Sequence, residues 1–278
     1  MSEASGVLAQ PFDAAAPSYD TDFTERRLGR WLREAVWGYL GAAFQPGEHV
    51  LELGCGTGED AVWLARRGVR VEATDGSPAM LAAAQRKVAE TKVGDRVSFS
   101  HLDLNAIGSE FRIPHSAFYD GAFSNFGALN CVPDRRPIAE ALAGAVRSGG
   151  RVVLVVMGPL CPWEWAWHLG HGQAGTAFRR FRRGVEAHVG DGRTVRVWYP
   201  SPRRLCAEFA PEFKHIETVG IGAFLPPSYF AHLVDRWPRM FGGLAKLDSS
   251  LGRFFPWTWL NDHYLMVLER KPRVQTPG

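Results

Sequence analysis

Long apolar runs are missing from this sequence. In 278 residues the longest is Val152 to Met157, far too short to span a bilayer. The opening MSEASGVLAQ has no basic start and no apolar core, so no secretion signal is expected, and the expected location is cytoplasmic. Cysteine is scarce. Its four copies, at 55, 131, 161 and 206, lack metal-ligand spacing, so a reduced protein without a metal site is expected. A strong charge of one sign is also absent. The net value of +3 gives no reason to expect a nucleic-acid partner. No G-x-S-x-G elbow, no G-x-x-x-x-G-K-[ST] phosphate loop and no zincin histidine pair occurs, which argues against hydrolase, P-loop and metalloprotease chemistry. The remainder is ordinary for a globular chain, at 46% hydrophobic and 22% charged.

What is present is a glycine loop, in Val50 to Asp60, VLELGCGTGED. It reads as a short strand, then glycine at 54, 56 and 58, then a helix starting at about Glu59. Such a turn leaves free N–H groups at a helix start for an anionic ligand group. A dinucleotide fingerprint needs glycine at position 59, where this chain has Glu59; that disfavours a nicotinamide enzyme.

The pattern around the loop alternates. Residues 1–45 read as a lead-in, loose over the first 18 residues and then helical from Thr24 to about Phe44, on the spacing of Leu28, Trp31, Leu32, Ala35, Val36, Tyr39 and Leu40. Strands are expected at 69–74, 97–102, 119–124 and 151–157 besides the first. Ser77-Pro78 signals a capped helix, and a further helix is expected from Asp134 to Val146. A doubly wound parallel sheet is the natural solution for 46–157. Beyond Met157 the rhythm breaks. Residues 162–183 read as helical, and Gly190-Asp191-Gly192 sits between two alternating runs as in a hairpin. A short helix at 202–210, a strand at 216–224 and a last strand at 263–269 follow. The excursions 158–200 and 225–262 read as an α/β cap inserted into one domain spanning 1–278.

Ligands of open α/β sheets sit at the carboxyl ends of the strands. Here those ends are polar in succession: the glycine loop, Asp75, Asp103 and Asn125. With Glu52-x-Gly54-x-Gly56-x-Gly58, this constellation resembles the class I S-adenosylmethionine (SAM) methyltransferases, and most of all the small-molecule group that includes ubiquinone and menaquinone methyltransferases. The resemblance covers Val50 to Met157. It implies a Rossmann-like seven-stranded sheet whose last strand is antiparallel, with SAM as cofactor. It also implies that Gly54, Gly56 and Gly58 flank the methionine part, that Glu52 belongs to the cofactor site, and that Asp75 accepts from the ribose hydroxyls. Gly76, Met80, Asp103 and Leu104 would then surround the adenine. Asn125 and Phe126 would face the reactive methyl, and Tyr19 of the entry segment would approach the cofactor. An N/D-P-P-Y motif is replaced by Ser124-Asn125-Phe126-Gly127, which argues against a DNA target, and the metal-dependent catechol pattern is not apparent.

The acceptor side is open to several readings. Seven of ten tryptophans lie at or beyond residue 163, which suggests a pocket for a sizeable apolar or aromatic molecule; core packing is the ordinary alternative. Glu164 and His168 share a helical face, with His171 following, and Asp262-His263 opens the last strand on the cofactor side. Glu164, His168 and His263 are the candidate catalytic residues, against the ordinary reading of a wet face or a satisfied core histidine. The run FRRFRR at 178–183 reads as a solvated helix end, or as a contact for an acidic group or a membrane surface. The expected activity is methyl transfer to oxygen or nitrogen of a small organic acceptor. Carbon methylation of an isoprenoid or polyketide-like substrate, and a non-catalytic SAM-binding scaffold, are the alternatives.

Overall fold

A computed structural model describes residues 10–107, 119–189 and 192–272. Chain order runs α1 (Arg27–Ala43), β1 (His49–Leu53), α2 (Glu59–Arg66), β2 (Arg70–Asp75), α3 (Pro78–Ala89), β3 (Val97–His101), β4 (Tyr119–Ser124), α4 (Arg136–Ala145) and β5 (Val146–Met157). It continues with α5 (Pro162–Gly170), α6 (Ala174–Ala177), β6 (Val185–His188), β7 (Thr194–Val197), α7 (Pro202–Phe209), β8 (Phe213–Ile221), α8 (Ala231–Arg236), α9 (Pro238–Leu251) and β9 (His263–Arg270). Seven strands form one sheet in the order β3-β2-β1-β4-β5-β9-β8, with β9 antiparallel to both its neighbours. This is the Rossmann-like α/β architecture expected from the alternation of elements. β6 and β7 form the separate antiparallel hairpin.

Each face of the sheet is sealed by its own apolar layer, as a doubly wound sheet requires. On one side Val50, Val71, Phe123, Val153 and Leu265 pack with the apolar stripe of α1 and with α2, α3, α8 and α9. On the other, Leu51, Leu53, Val152, Leu154 and Met266 pack with α4 and α7. α4 and α7 are also locked by the buried Arg135 guanidinium, which meets both Glu208 oxygens at 2.7 and 3.0 Å.

Several boundaries differ from expectation, each for a local reason. Residues 10–24 are folded, not loose: a 3-10 turn at Pro11–Asp13 and a π-type turn at Asp20–Thr24 precede α1. Asp13 accepts from the Ser77 hydroxyl at 2.6 Å, and Asp20 accepts from Thr57 at 2.6 Å and pairs with Lys87 at 2.8 Å. β8 begins at Phe213 and ends at Ile221, because Gly222 takes φ +71° and gives its N–H to Asp248. The stretch 162–183 is two short helices and a 3-10 turn, interrupted at Gly172 with φ +72°. The arginine run is divided: Arg180 is buried and Arg179 half-buried, while Phe178, Phe181, Arg182 and Arg183 are exposed. The expected hairpin turn at 190–191 lies outside the described residues.

A Cβ at Gly121 would collide with the Arg151 carbonyl and the Phe44 ring. Gly121→Ala should therefore lower stability by about 1–3 kcal/mol. Gly38, exposed on α1 with open space around it, provides the control. Gly38→Ala should raise stability by about 0.5–1 kcal/mol. Thermal denaturation of both variants checks the pair.

Candidate cofactor and acceptor site

At the carboxyl edge of β1, β2 and β4 lies a cavity of about 350 Å³. β1 and β2 are in register, so Leu53 lies beside Thr74 and the loops that follow start level with one another. The glycine loop supplies the near wall. A Cβ at Gly54 would strike Ala128 after β4, and Gly56, at φ +52°, faces Tyr19. Of the predicted cofactor residues, Tyr19, Gly54, Gly56, Asp75, Gly76, Met80, Asp103, Leu104, Asn125 and Phe126 line this one cavity. Two do not. Gly58, with φ +78°, caps α2 and lets Ala84 of α3 pack against it. Glu52 lies buried under the loop, one carboxyl oxygen unpartnered, and burial followed by the Asp60 charge pushes its pKa well up.

Asp75 is held by the backbone. Its Oδ2 accepts from the Gly56 N–H and its Oδ1 from the Ser77 N–H, both at 2.8 Å. Burial raises its pKa, and these two bonds only partly oppose that. Ser77 is also the cap of α3, accepting from the Met80 N–H, which fixes the loop that carries Gly76. Asp103 turns its own loop by accepting from the Asn105 N–H at 2.9 Å.

Sequence reasoning missed the floor at the other end. Arg33 and Asp60 are both buried and pair at 2.6 Å, and Asp60 also accepts from Asn125 Nδ2 and the Trp37 indole. The Arg33 guanidinium lies against the rings of Phe23 and Phe126. Arg33 looked like one more arginine of a surface helix, but its i+3 and i+7 companions Val36 and Leu40 are buried and it shares their face. Phe126 sits at φ +45°, a conformation costly for a bulky side chain. Also unforeseen is the outer wall, where Ala187, Val189, Val195 and Val197 of the hairpin close over the cavity.

The region 50–150 matches the family model described as a methyltransferase domain. That match supports a class I SAM-dependent methyltransferase domain over residues 50–150. It is 30% identical over 154 residues to the demethylmenaquinone methyltransferase of Clavibacter sepedonicus, covering 55% of this chain and 59% of that one. It is 29% identical over 150 residues to the S-adenosyl-L-methionine-dependent Diels–Alderase of Talaromyces variabilis, covering 52% and 48%. The chain thus spans less than two thirds of either relative's length. Its fold is similar to that of the CcbJ methyltransferase from Streptomyces caelestis, with TM-score 0.62 and 16% identity, covering 95% of this chain and 99% of that one.

The cofactor of this methyltransferase family is SAM, and the site's chemistry suits it. The cavity offers carboxylates at Asp75 and Asp103 for hydroxyl and amino donors, and apolar side chains at Met80 and Leu104 for a flat ring. Asn125 Oδ1 is a buried acceptor without a protein partner, as an ammonium group requires.

The three catalytic candidates fall differently. Glu164 is fully buried and accepts from Arg179, Arg180 and the Tyr229 hydroxyl; burial alone would raise its pKa, but Arg180 and Arg179 hold it below the usual value. His168 lies on the same helix with Nδ1 2.8 Å from the Gln173 side-chain oxygen. Neither lines the cavity. His263 is buried and packs edge-on against Phe126 at 5.5 Å, next to the cavity wall.

Replacing Asp75 by alanine should weaken S-adenosylhomocysteine binding roughly 10- to 100-fold, the value of a charge-assisted hydrogen bond. Because burial raises the Asp75 pKa, affinity should fall with decreasing pH earlier than an exposed aspartate would dictate. Asp75→Asn should flatten that dependence. Calorimetric titration across pH measures both, and an unchanged affinity in Asp75→Ala removes the ribose role.

Proposed function

We propose that this chain transfers the methyl group of SAM to an oxygen or nitrogen of a small, largely apolar or aromatic organic molecule. The observation that carries this reading is the continuity of one cavity. Its inner half has the carboxylates and glycine backbone suited to the cofactor, and its outer half is walled by Phe126, Met157 and the valines of the hairpin. The similarity to a demethylmenaquinone methyltransferase supports an acceptor of this type.

Bound SAM supplies an electrophilic methyl on a positively charged sulfur, so the protein's work is alignment and exclusion of water. Alignment of this kind is worth roughly 7–11 kcal/mol. Gly54, Gly56, Asp75 and Asn125 would hold the donor. Phe126, fixed by Phe23 and Arg33, would set the position of the acceptor face. Residues 158–200 contribute the hairpin wall and α5, while residues 225–262 contribute Tyr229, Phe230 and Phe241, which pack on α5. We take both as the acceptor cap.

A second reading has one supporting observation, the similarity to a SAM-dependent Diels–Alderase, in whose name no methyl transfer appears. The two readings part in one assay. The chain is incubated with methyl-deuterated SAM and a set of naphthoquinols, phenols and arylamines, followed by mass spectrometry. Methyl transfer should give S-adenosylhomocysteine and a product carrying one labelled methyl. Tight cofactor binding with no labelled product across the set would favour the second reading.

A further inference from the structure

The junction between cap and sheet holds a buried group of charges outside the cofactor cavity. Arg180, from the arginine run, is 4% exposed. Its Nη1 donates to the carbonyls of Gly158 and Asp262, and its Nη2 to Glu164 and to Asp262 Oδ1. Asp262, 3% exposed, presents its other oxygen, Oδ2, 3.0 Å from His263 Nδ1. That contact is close in distance but outside hydrogen-bond geometry, and no other polar group reaches the nitrogen. Burial opposes charge on Asp262, but His263 and Arg180 outweigh it and keep the carboxyl well below the usual range.

The position of His263 follows from topology. β9 runs antiparallel, so its first residue arrives at the edge where the parallel strands end. There His263 pairs in register with Met157, a residue of the cavity wall, and its ring meets Phe126, another. Among the described residues His168 bonds Gln173 through Nδ1 while its Nε2 is unpartnered, and the remaining cap groups are engaged elsewhere. Glu164 is clamped by two guanidiniums, and the His171 ring bonds the Trp167 carbonyl at 2.7 Å.

We propose that His263 takes the acceptor's proton, and that Asp262, anchored by Arg180, positions the ring so that Nε2 is the free nitrogen. This rests on the methyl-transfer reading above. The acceptor's O–H or N–H bond breaks, its proton passes to Nε2, and the electron pair left behind forms the new bond to carbon. The pair of the broken carbon–sulfur bond stays on sulfur. The imidazolium that results faces the Asp262 carboxylate, which offsets its charge, while Arg33, a residue of the cavity lining, lies against the Phe126 ring. A carboxylate fixing Nδ1–H in this way is a general device for choosing which imidazole nitrogen reacts.

The test reads the ring itself. In the full chain labelled with ¹⁵N-histidine, long-range proton–nitrogen spectra report the tautomer, and loss of one signal in His263→Gln assigns it. The neutral ring should carry its proton on Nδ1, its resonances should move when S-adenosylhomocysteine is added, and Asp262→Glu should keep the tautomer that Asp262→Asn loses. His263→Gln should also slow methyl transfer by about 10²–10⁴ while cofactor affinity stays within about twofold. A proton on Nε2 in the native chain, or an unchanged tautomer in Asp262→Asn, overturns the proposal. If Asp262→Asn does not fold, the native spectrum alone decides. Failure of S-adenosylhomocysteine to bind would instead strike the cofactor reading, and the tautomer would still be measured.

Discussion

One carboxylate holds the donor half of this site together. Asp75 accepts from the backbone of the glycine loop on one side and of the α3 lead-in on the other. It therefore fixes the relative height of two loops that the sheet alone sets only at their roots. Without those bonds, the N–H groups of Gly56 and Ser77 would face the cavity unpaired, and a buried donor left so costs about 1–3 kcal/mol. Ser77 caps α3 and accommodates Asp13, so the entry segment hangs from the same point.

Much of this was legible before any coordinates. The strand-end residues Asp75, Asp103 and Asn125 were readable because a parallel sheet brings every carboxyl edge to one side, so position along the chain converts directly into position in space. The helix start at Ser77-Pro78 came out as the local chemistry required, whereas β5 begins at Val146 and takes in Gly149-Gly150. Of the limits that moved, the break at Gly172 was local and the end of β8 depended on a distant partner. β8 ends where Asp248, from α9, takes the Gly222 N–H. Arg33, Asp60 and Arg180 could not be read, because a sequence shows a charged residue but not the carboxylate that comes to meet it from another element. The same limit applied to residues 10–24, whose order comes from Ser77, Thr57 and Lys87.

Two buried ionic groups flank the Phe126 ring, and they differ in what they tie down. Arg33 with Asp60 and Asn125 joins α1 to the start of α2 and the end of β4. Arg180 with Glu164 and Asp262 joins the cap to the start of β9. Buried pairs of this kind add little net stability, but losing one partner leaves a stranded charge at a cost of about 3–5 kcal/mol. They therefore make position, more than stability, the property they enforce. Phe126, strained between them, is held from both the donor and the acceptor side.

The antiparallel course of β9 has a consequence for how such a protein can diversify. β5 leaves the sheet and β9 re-enters it at the same edge, so the first excursion starts, and the second finishes, next to the cavity wall. Their length and composition can change without altering a single strand register in β1 to β4. The family match at 50–150 lies within the donor half, whereas the fold likeness at 16% identity extends over nearly the whole chain. Under the proposed reading, donor and acceptor are bound on separate stretches of one polypeptide, so the acceptor stretch can change while the donor stretch is left intact.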